Sequence, residues 1–296
     1  MTITVCIPIY NCDVRKLVRE LESQMVDGKT SIICIDDGSK EEYRALNKEL
    51  QDEVKYVELP GNVGRARVRN KFLDYVEEGW LLFIDCDAEI DSPTYIKTYL
   101  DLVEREHPSI VCGGHKYVGN QDVAHCLRYE YGKRCEEKSA IERMKHPNRS
   151  FMPSNLLIKR ELFAECPFDE SLSKYGHEDT LMGYELSKRG VSVLHIDNNI
   201  SLREIDSNKV FMEKTDEALE NLAEIAKRTD GEFAQEVKLL CWYKRLKRLG
   251  IIAVLRLFVN EYKLKERFKL GWCNMFYFKL YKLLVFDNFY TSNPYR

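Results

Sequence analysis

The chain has 296 residues, of which 44% are hydrophobic and 31% are charged, with 15 Gly and 8 Pro. This composition excludes disordered, collagen-like and low-complexity proteins, and the length is that of about two domains. The formal net charge is −3, yet residues 238–296 contain 13 basic and three acidic residues, against 32 basic and 45 acidic residues in 1–237. Such a charge split indicates two functional regions and an anionic partner for the basic end.

The sequence shows neither a targeting signal nor a cysteine motif. The first residues lack a basic segment followed by an apolar run, and no stretch offers about 20 uncharged apolar residues. We therefore expect a cytoplasmic protein without a membrane span. The 10 cysteines include no Cys-x-x-Cys pair, so we expect reduced thiols rather than a zinc site or a disulfide framework.

Short apolar strands alternate with helical patterns through the first part of the chain, which predicts a mostly parallel sheet with right-handed crossovers. In chain order these elements are a strand at 2–9, a helix carrying Leu17, Leu21 and Met25, a strand at 30–36, a helix near 40–51, a strand near 54–59, a helix near 64–78 and a strand at 80–84. The later predicted elements are a helix near 92–105, a strand near 109–117, an apolar segment at 155–158, a helix near 178–189, a strand at 191–196 and helical patterns from 208 onward. We predict an α/β domain over 1–205 and a helical region over 206–296.

Polar groups follow three of the predicted strands at the point where each strand ends. They are Pro8-Ile9-Tyr10-Asn11, Asp36-Asp37-Gly38-Ser39 and Asp85-Cys86-Asp87. Ligands of open parallel sheets bind outside the carboxyl ends of the strands, where loops gather around helix N-termini. We therefore expect these three groups to line one edge of the sheet.

Asp85 and Asp87 are candidate metal ligands. On an extended chain, side chains two residues apart point the same way, so both carboxylates could share one hard cation whose shell a phosphate-bearing ligand completes. A solvated turn is the alternative, because loop carboxylates usually face water. The position directly after an apolar strand favours the cation.

The segment Asp36-Asp37-Gly38-Ser39 suits a turn followed by a helix N-cap, because Asp, Gly and Ser are favoured there. That interpretation accounts for Ser39 but not for two adjacent carboxylates. These would repel each other without a cation or a set of donors, such as ribose hydroxyls and a base N–H.

Three arginines, Arg65, Arg67 and Arg69, occupy the first turns of the helix after Gly64, where the helix dipole disfavours cations. Arg65 and Arg69 share a face, and Gly64 allows a close approach of the backbone, so a pyrophosphate is the natural anion to relieve this conflict. Pairing with nearby acids is the alternative. The candidate acids are Asp74, Glu77 and Glu78.

Taken together, these strings resemble the family-2 glycosyltransferases, which are inverting enzymes of the GT-A fold that use nucleotide-activated sugars. The ordered match covers most of residues 2–196. It consists of Ile7-Pro8-Ile9-Tyr10-Asn11, Asp36-Asp37-Gly38-Ser39, Asn62-x-Gly64 with Arg69-Asn70, the DxD-like Asp85-Cys86-Asp87, and Phe168-Asp169-Glu170 followed by Gly176-His177-Glu178-Asp179. The resemblance implies a Rossmann-like, mostly parallel sheet flanked by helices.

The resemblance also implies a binding site for the donor. Asp37 would contact the uracil or ribose of a UDP-sugar, Asp85 would meet ribose or metal, and Asp87 would bind a divalent cation, Mn²⁺ or Mg²⁺, on the pyrophosphate. The donor-binding residues would be Pro8, Tyr10, Asn11, Asp37, Asn62, Gly64, Arg65, Arg69 and Asp85.

On the acceptor side, the resemblance implies that Asp179, beside His177 and Glu178, is the catalytic base. It would deprotonate an acceptor hydroxyl that attacks the anomeric carbon opposite the departing nucleotide. Without the resemblance, acids at this position are ordinary compensation of a helix dipole.

The sequence departs from many relatives at one point. The stretch after the last strand often carries a His that contacts metal or phosphate, whereas 197–206 contains none. We expect Arg203 to act on phosphate in its place, which leaves the metal requirement open. Ala66 also stands where Ser is frequent.

Residues 238–286 interleave aromatic and basic side chains, a composition that suits an interfacial helix on anionic lipid. Many relatives act on polyprenyl-linked glycans at the cytoplasmic membrane face, so the sequence suggests peripheral membrane contact. The alternative is a helical region that packs on the catalytic domain or on a second copy in a homodimer. No motif for reading nucleic acid accompanies the charge.

The sequence therefore predicts an inverting glycosyltransferase that moves a sugar from a nucleotide-sugar to a glycan or lipid-linked glycan during polysaccharide synthesis. A sugar-1-phosphate nucleotidyltransferase is one alternative, although Pro8-Ile9-Tyr10-Asn11-Cys12 offers neither its usual Gly-rich loop nor its lysine. A catalytically silent scaffold that binds nucleotide-sugars is the other.

Overall fold

Strands and helices alternate along much of the chain. The computed structural model describes residues 1–119, 122–172, 174–203, 205–229 and 231–292. Within them the strands are β1 (Ile3–Ile9), β2 (Thr30–Asp36), β3 (Lys55–Glu58), β4 (Trp80–Ile84), β5 (Ala88–Glu89), β6 (Ile110–Cys112), β7 (His115–Tyr117), β8 (Asn155–Lys159), β9 (Leu194–His195) and β10 (Ile200–Leu202). The α-helices are α1 (Arg15–Glu22), α2 (Glu41–Asn47), α3 (Arg65–Asn70), α4 (Tyr95–Glu106), α5 (Cys126–Tyr131), α6 (Ala140–Arg143), α7 (Arg160–Glu165), α8 (Glu178–Lys188), α9 (Asn208–Arg228), α10 (Phe233–Glu236), α11 (Lys238–Arg248), α12 (Ile251–Phe258), α13 (Glu261–Lys269) and α14 (Met275–Thr291).

The main sheet has seven strands in the order β3-β2-β1-β4-β8-β6-β9. β1 pairs in parallel with β2 and with β4, and β2 pairs in parallel with β3. β8 runs antiparallel to both of its neighbours, β4 and β6. The predicted α/β fold with a mostly parallel sheet flanked by helices is confirmed.

The centre of this sheet is apolar on both faces, which is the pattern of strands covered by helices on each side. Every residue of β4 is buried, and so is nearly all of β1. On α1, Leu17, Val18 and Leu21 are buried, as the four-residue spacing predicts. Helix α4 adds Tyr95 and Tyr99, both fully buried.

The prediction of one continuous strand near 109–117 is wrong, because Gly113 and Gly114 divide this segment into two strands. β6 ends at Cys112 in the main sheet, and β7 starts at His115 in a second sheet with the order β5-β10-β7. At Gly114 the backbone has φ +82°, and a Cβ there would collide with Arg143. Only glycine tolerates both conditions, so the chain changes sheets there.

Three other predicted elements are shorter in the structure. The helix near 40–51 is α2 followed by a 3₁₀ turn at Lys48–Asp52, and the helix near 64–78 is α3 followed by a 3₁₀ turn at Lys71–Asp74. The strand at 191–196 is reduced to β9, because the Asn148 side chain donates to the Val191 carbonyl and accepts from the Val193 N–H. These polar side-chain contacts compete with regular backbone pairing.

The described residues form two compact units. Unit 1 comprises Met1–Val118, Glu137–Ser173 and Glu185–Glu204, and unit 2 comprises Gly119–Glu136, Lys174–Tyr184 and Ile205–Arg296. Both sheets belong to unit 1. In unit 2, α14 packs along α9 and α13. The division into folding domains at 1–205 and 206–296 stays a prediction.

No helix within the described ranges is both long enough and apolar enough to cross a bilayer. The longest, α9, has 21 residues but a polar face with a buried stripe that includes Met212, Leu219 and Leu222. Amphipathic helices of this kind cover a protein core.

Two glycines of the first unit allow a controlled test of the turn after β2. Gly38 and Gly28 have φ +71° and +70°, but a Cβ on Gly38 would lie 2.5 Å from the Gly61 carbonyl carbon, whereas a Cβ on Gly28 would meet nothing within 4 Å. Both alanine variants should lose about 1 kcal/mol of unfolding free energy to the left-handed backbone. Gly38→Ala should lose roughly 1–3 kcal/mol more from overpacking. Urea denaturation measures both, and equal losses would contradict the close packing of the two loops.

Candidate active site

The predicted strand-end groups meet at one edge of the main sheet. β1 and β2 end in register, with Ile9 opposite Asp36. The Asn11 N–H donates to Ser39 Oγ at 2.8 Å, and Asn11 Oδ1 accepts from the Lys40 N–H at 2.8 Å. These bonds join the loop after β1 to the loop after β2, as the sequence predicts.

The loop after β4 is tied to the same place. The Cys12 thiol donates to the Cys86 carbonyl at 3.2 Å. Asn47, fully buried on α2, accepts from the Val14 N–H at 3.0 Å and donates to the Cys12 carbonyl at 2.8 Å. Rigid contacts from three elements therefore fix the chain that follows β1.

The two adjacent aspartates after β2 have separate sets of protein donors. Asp36 accepts from the Ser39 N–H at 2.7 Å and from the Tyr56 hydroxyl at 3.1 Å. Asp37 accepts from the N–H groups of Val63 at 2.7 Å and Gly64 at 3.1 Å. The expectation that the pair needs a cation or ligand donors is therefore wrong, because the protein supplies hydrogen bonds to both carboxylates.

The second carboxylate, Asp37, is the one placed between two loops. Its side chain is buried, and burial raises its pKa although the two backbone N–H groups act in the opposite direction. It fixes the segment that leads into α3 and thereby positions Gly64, Arg65 and the rest of that helix.

Arg69 and Arg65 both face Asp85 at the end of β4. Arg69 is buried and its guanidinium lies 2.6 Å from Asp85 Oδ1, while the Arg65 guanidinium lies 3.7 Å from Oδ2. Arg67 faces Glu170 instead, at 3.7 Å. Asp85 is thus an acid partner of Arg65 and Arg69 that the spacing did not reveal, and its charge offsets the unfavourable dipole.

The charge state of Asp85 follows from this pairing. Burial acts to raise the pKa of its carboxyl, but the charges of Arg69 and Arg65, with a smaller effect of His115, hold the pKa below its ordinary value. Asp85 is therefore an ionised carboxylate at neutral pH. The Arg69 guanidinium also lies over the Phe168 ring, 5.8 Å from its centroid.

Sequence reasoning missed His115. This buried side chain on β7 meets the Tyr117 ring edge to face, with centroids 5.1 Å apart, and lies close enough to Asp85 to affect its pKa. The only signal in the sequence was a His in an alternating strand after two glycines. Arg203, which we expected to act on phosphate, is instead held by Glu89 and Asp91.

The carboxylates after β4 can accommodate a divalent cation under one condition. Asp87 is exposed and Asp85 keeps 21% of its side chain exposed, and Mg²⁺ and Mn²⁺ prefer such oxygen ligands. Across the residues that the structure describes, no cluster of three or more His, Cys, Asp or Glu side chains could hold a metal ion. A cation here would need further oxygens from a phosphate ligand and water, which is a usual arrangement for Mg²⁺.

The remaining predicted donor residues lie around the same loops in unit 1. Tyr10 is 51% exposed, and Asn62 is exposed beside Val63. Pro8 is half-buried on β1, opposite Ile35. An exposed ring and amide at a loop edge are available to a ligand.

The predicted acceptor-side residues belong to unit 2, at the start of α8. His177 has φ +68°, and burial, the main cause, lowers the pKa of its ring to about 4, so the imidazole is neutral. Asp179 Oδ1 accepts from the Thr180 N–H at 2.6 Å. Asn221 on α9 donates to the backbone carbonyls of Lys174 and Gly176 at 2.7 and 3.0 Å, which fixes the loop that precedes α8.

The family model described as Glycosyl transferase family 2 matches residues 4–166. The chain belongs to this family. The match contains the loops around Asp37 and Asp85, and it leaves the nucleotidyltransferase alternative without support. The segment that carries Asp179 lies outside the matched range.

Solved structures share the fold. S. aureus TarS in complex with UDP-GlcNAc has a TM-score of 0.53 at 18% identity, covering 100% of this chain and 93% of that chain. The mannosyltransferase PcManGT from Pyrobaculum calidifontis, in complex with GDP-Man and Mn²⁺, has a TM-score of 0.62 at 12% identity, covering 98% of this chain and 88% of that chain. These likenesses confirm the GT-A-type fold of this glycosyltransferase-family chain.

Among curated proteins, a chondroitin synthase from Escherichia coli is 24% identical over 225 residues, which are 64% of this chain and 32% of that protein. The chain thus spans about a third of the length of this relative. The similarity supports the family assignment and leaves the reaction of the chain to be proposed.

The ion pair between Arg69 and Asp85 predicts how the unfolding free energy of this family-2 chain depends on pH. In Arg69→Met the opposing charge is lost while burial remains, so the pKa of Asp85 should rise and its carboxylate should destabilise the fold at neutral pH. The loss of unfolding free energy should be roughly 3 kcal/mol at pH 7.5, the low end for breaking a buried pair. It should shrink toward pH 4.5, where the carboxyl gains its proton.

Urea denaturation of Arg69→Met at both pH values measures this effect. Arg67→Met, on the same helix with 56% of its side chain exposed, is the matched control and should change little. A loss that is independent of pH, or equal in the two variants, would contradict the role of Arg69 in ionising Asp85.

Proposed function

We propose that the chain transfers a sugar from a UDP-sugar to a glycan acceptor, with inversion at the anomeric carbon, in the synthesis of a polysaccharide. One observation carries this proposal. Asp85 is held ionised by Arg69 and Arg65 at the carboxyl end of β4, and the exposed Asp87 follows two residues later. Family membership adds the reaction class.

A nucleoside diphosphate fits the chemistry of this edge. Its base or ribose would meet the loop of Asp37, and Tyr10, Asn11 and Asn62 border the same loops. Arg65 keeps 42% of its side chain exposed and can reach a phosphate, for which its planar guanidinium is suited. Arg69 is buried against Asp85, so its part is to position that carboxylate.

A divalent cation, Mn²⁺ or Mg²⁺, would be held by Asp87 and Asp85 and would neutralise charge on the diphosphate leaving group. Solved relatives support this choice, because PcManGT was crystallised with GDP-Man and Mn²⁺. Glucosyl-3-phosphoglycerate synthase from Mycobacterium tuberculosis was crystallised with Mn²⁺ and UDP; it has a TM-score of 0.52 at 17% identity, covering 78% of this chain and 81% of that chain.

Asp179 is the proposed catalytic base. Its carboxylate takes the proton from an acceptor hydroxyl, whose oxygen forms a bond to the anomeric carbon as the bond to the diphosphate oxygen breaks. One displacement from the opposite face inverts the configuration, and the nucleoside diphosphate departs with the bonding electrons. The neutral His177 and buried Glu178 precede this base at the start of α8 and border the acceptor.

The acceptor class completes the proposal. A growing glycan, free or linked to a polyprenyl lipid at the cytoplasmic membrane face, fits a family that includes polysaccharide synthases, and the chondroitin synthase similarity supports it. A lipid-linked acceptor requires peripheral contact with the membrane, which we assign to 238–286. A homodimer through the same region is the competing arrangement.

Asp87→Asn tests the donor site. The amide keeps the size of the side chain but removes its negative charge, so Mn²⁺-dependent binding of a UDP-sugar should be abolished. Titration calorimetry with and without Mn²⁺ measures this change. Asp52→Asn, which changes an exposed carboxylate in the 3₁₀ turn after α2, should bind like the wild-type chain. Unchanged affinity in Asp87→Asn would remove Asp87 from the donor site.

Asp179→Asn tests the base independently. Donor binding should stay near the wild-type value, because the donor contacts of unit 1 are intact, while the rate of transfer should fall by at least ~10²-fold from loss of general-base catalysis. Release of UDP in the presence of acceptor measures the rate. Glu224→Gln, an exposed acid on α9, should transfer normally. Full activity in Asp179→Asn would eliminate this residue as the base.

A further inference from the structure

Helix α12 places its charge on the inside and its apolar residues on the outside. Its sequence, IIAVLRLF, contains one charged residue, Arg256. The Arg256 guanidinium donates to Asp287 at 2.7 Å and to Asn288 at 2.6 Å on α14. The side of the helix that carries the charge therefore faces the protein.

The opposite side of α12 is apolar and open to solvent. Val254, Leu257 and Phe258 are 53%, 79% and 82% exposed, and Leu249, just before the helix, is 66% exposed. Surface helices normally bury the apolar side and expose the charged one. A cluster of large exposed apolar side chains marks an interaction surface.

A buried carboxylate fixes this orientation. Asp287 is 4% exposed and accepts hydrogen bonds from Tyr243 at 2.8 Å and Lys247 at 2.6 Å, both on α11, in addition to Arg256. Rotation of α12 about its axis would remove the guanidinium and leave a buried charge short of a donor, which is costly. The outward direction of Leu257 and Phe258 is thus built into the packing of unit 2.

The segment that carries this apolar surface, together with the preceding helix α11, is cationic. Residues 238–260 contain no Asp or Glu. Lys244, Arg245 and Arg248 on α11 are exposed and form no ion pair with any residue in the described ranges. Trp242 is 57% exposed, with the Arg245 guanidinium 5.5 Å from its ring centroid.

We propose that α12 docks on an anionic lipid surface, with Leu257 and Phe258 in the acyl boundary and Lys244, Arg245 and Arg248 against the headgroups. This inference rests on the peripheral membrane contact in the proposed function, and it names α12 as the element that inserts. An apolar helix of eight residues is too short to span a bilayer but suits its interface.

Charge favours lipid over a second copy of the chain. A two-fold dimer brings the same patch of both subunits together, so the cations of one copy would face those of the other. Like charges placed opposite each other oppose association. An anionic bilayer complements the same three cations, and each contributes to binding near the surface.

Co-sedimentation of the full chain with vesicles tests the surface without donor or acceptor. The wild-type chain should bind vesicles of phosphatidylglycerol and phosphatidylcholine in equal parts and should not bind phosphatidylcholine alone. The double variant Leu257→Ser with Phe258→Ser should bind at least ~10-fold more weakly, because two apolar side chains no longer insert. Lys244→Gln and Arg248→Gln should each weaken binding roughly fivefold.

Ile141→Ser is the matched control, because Ile141 is 77% exposed but lies on α6 of unit 1, and its vesicle binding should equal that of the wild-type chain. Circular dichroism melting establishes that each variant is folded, as expected for exposed positions. Unchanged binding in the double variant overturns the proposal. A wild-type dimer in sedimentation velocity that the double variant abolishes, with no vesicle binding by either, also overturns it and assigns the surface to a second copy.

The test separates this inference from the reaction. Transfer to a water-soluble acceptor should be retained by the double variant, since Leu257 and Phe258 are exposed and are not among the residues proposed for chemistry. Loss of vesicle binding with retained transfer supports the surface. Failure of Asp87→Asn or Asp179→Asn to behave as proposed would revise the reaction and leave the vesicle result as it stands.

Discussion

The buried contact between Arg69 and Asp85 is the constraint on which the site depends. Removing a guanidinium and a carboxylate from water is expensive, and only close pairing offsets the cost. Here the pair joins the end of β4 to α3, so the acidic loop and the arginine helix have one fixed relation. Beside this pair, Arg65 and Asp87 are exposed, and they are the groups that we propose to contact a ligand.

Burial also distinguishes the carboxylates along this edge of the sheet from one another. Asp36 is fully buried, and its two carboxylate oxygens accept hydrogen bonds from the Ser39 N–H of the turn and from the Tyr56 hydroxyl. Asp37 is buried between loops, whereas Asp87 is exposed. This progression from buried to exposed acids is why we propose Asp87, and not Asp36, as a side chain that binds a ligand.

Periodicity in the sequence predicted the fold well because the main strands are buried runs and the first helices are amphipathic. It failed where a single residue interrupts a strand, as at Gly114, whose left-handed backbone only glycine adopts. The spacing of Arg65 and Arg69 correctly placed them on one face. It could not reveal Asp85 as their partner, since that contact bridges separate elements. His115 was missed for the same reason, because its neighbour Asp85 lies in the loop after another strand, β4.

In the basic C-terminal region, the aromatic side chains divide into a buried set and an exposed set. Phe268, Phe278 and Tyr281 are buried and contact one another, as a packed core requires. Phe258 and Phe276 are exposed. Composition alone cannot divide such a set, because burial is decided by the Asp287 network and by the helices that pack on α9.

The contact between Gly38 and the backbone of Gly61 and Asn62 has a consequence for how a ligand is sensed. Together with the hydrogen bonds that Asp37 accepts from the N–H groups of Val63 and Gly64, this contact holds the two loops in one fixed arrangement. A nucleoside that immobilises the first loop also immobilises the segment leading to Arg65. The segment leading to Arg65 then loses its conformational entropy when the nucleoside binds, and not later when the phosphates bind. The nucleoside and the phosphates should therefore bind with positive cooperativity.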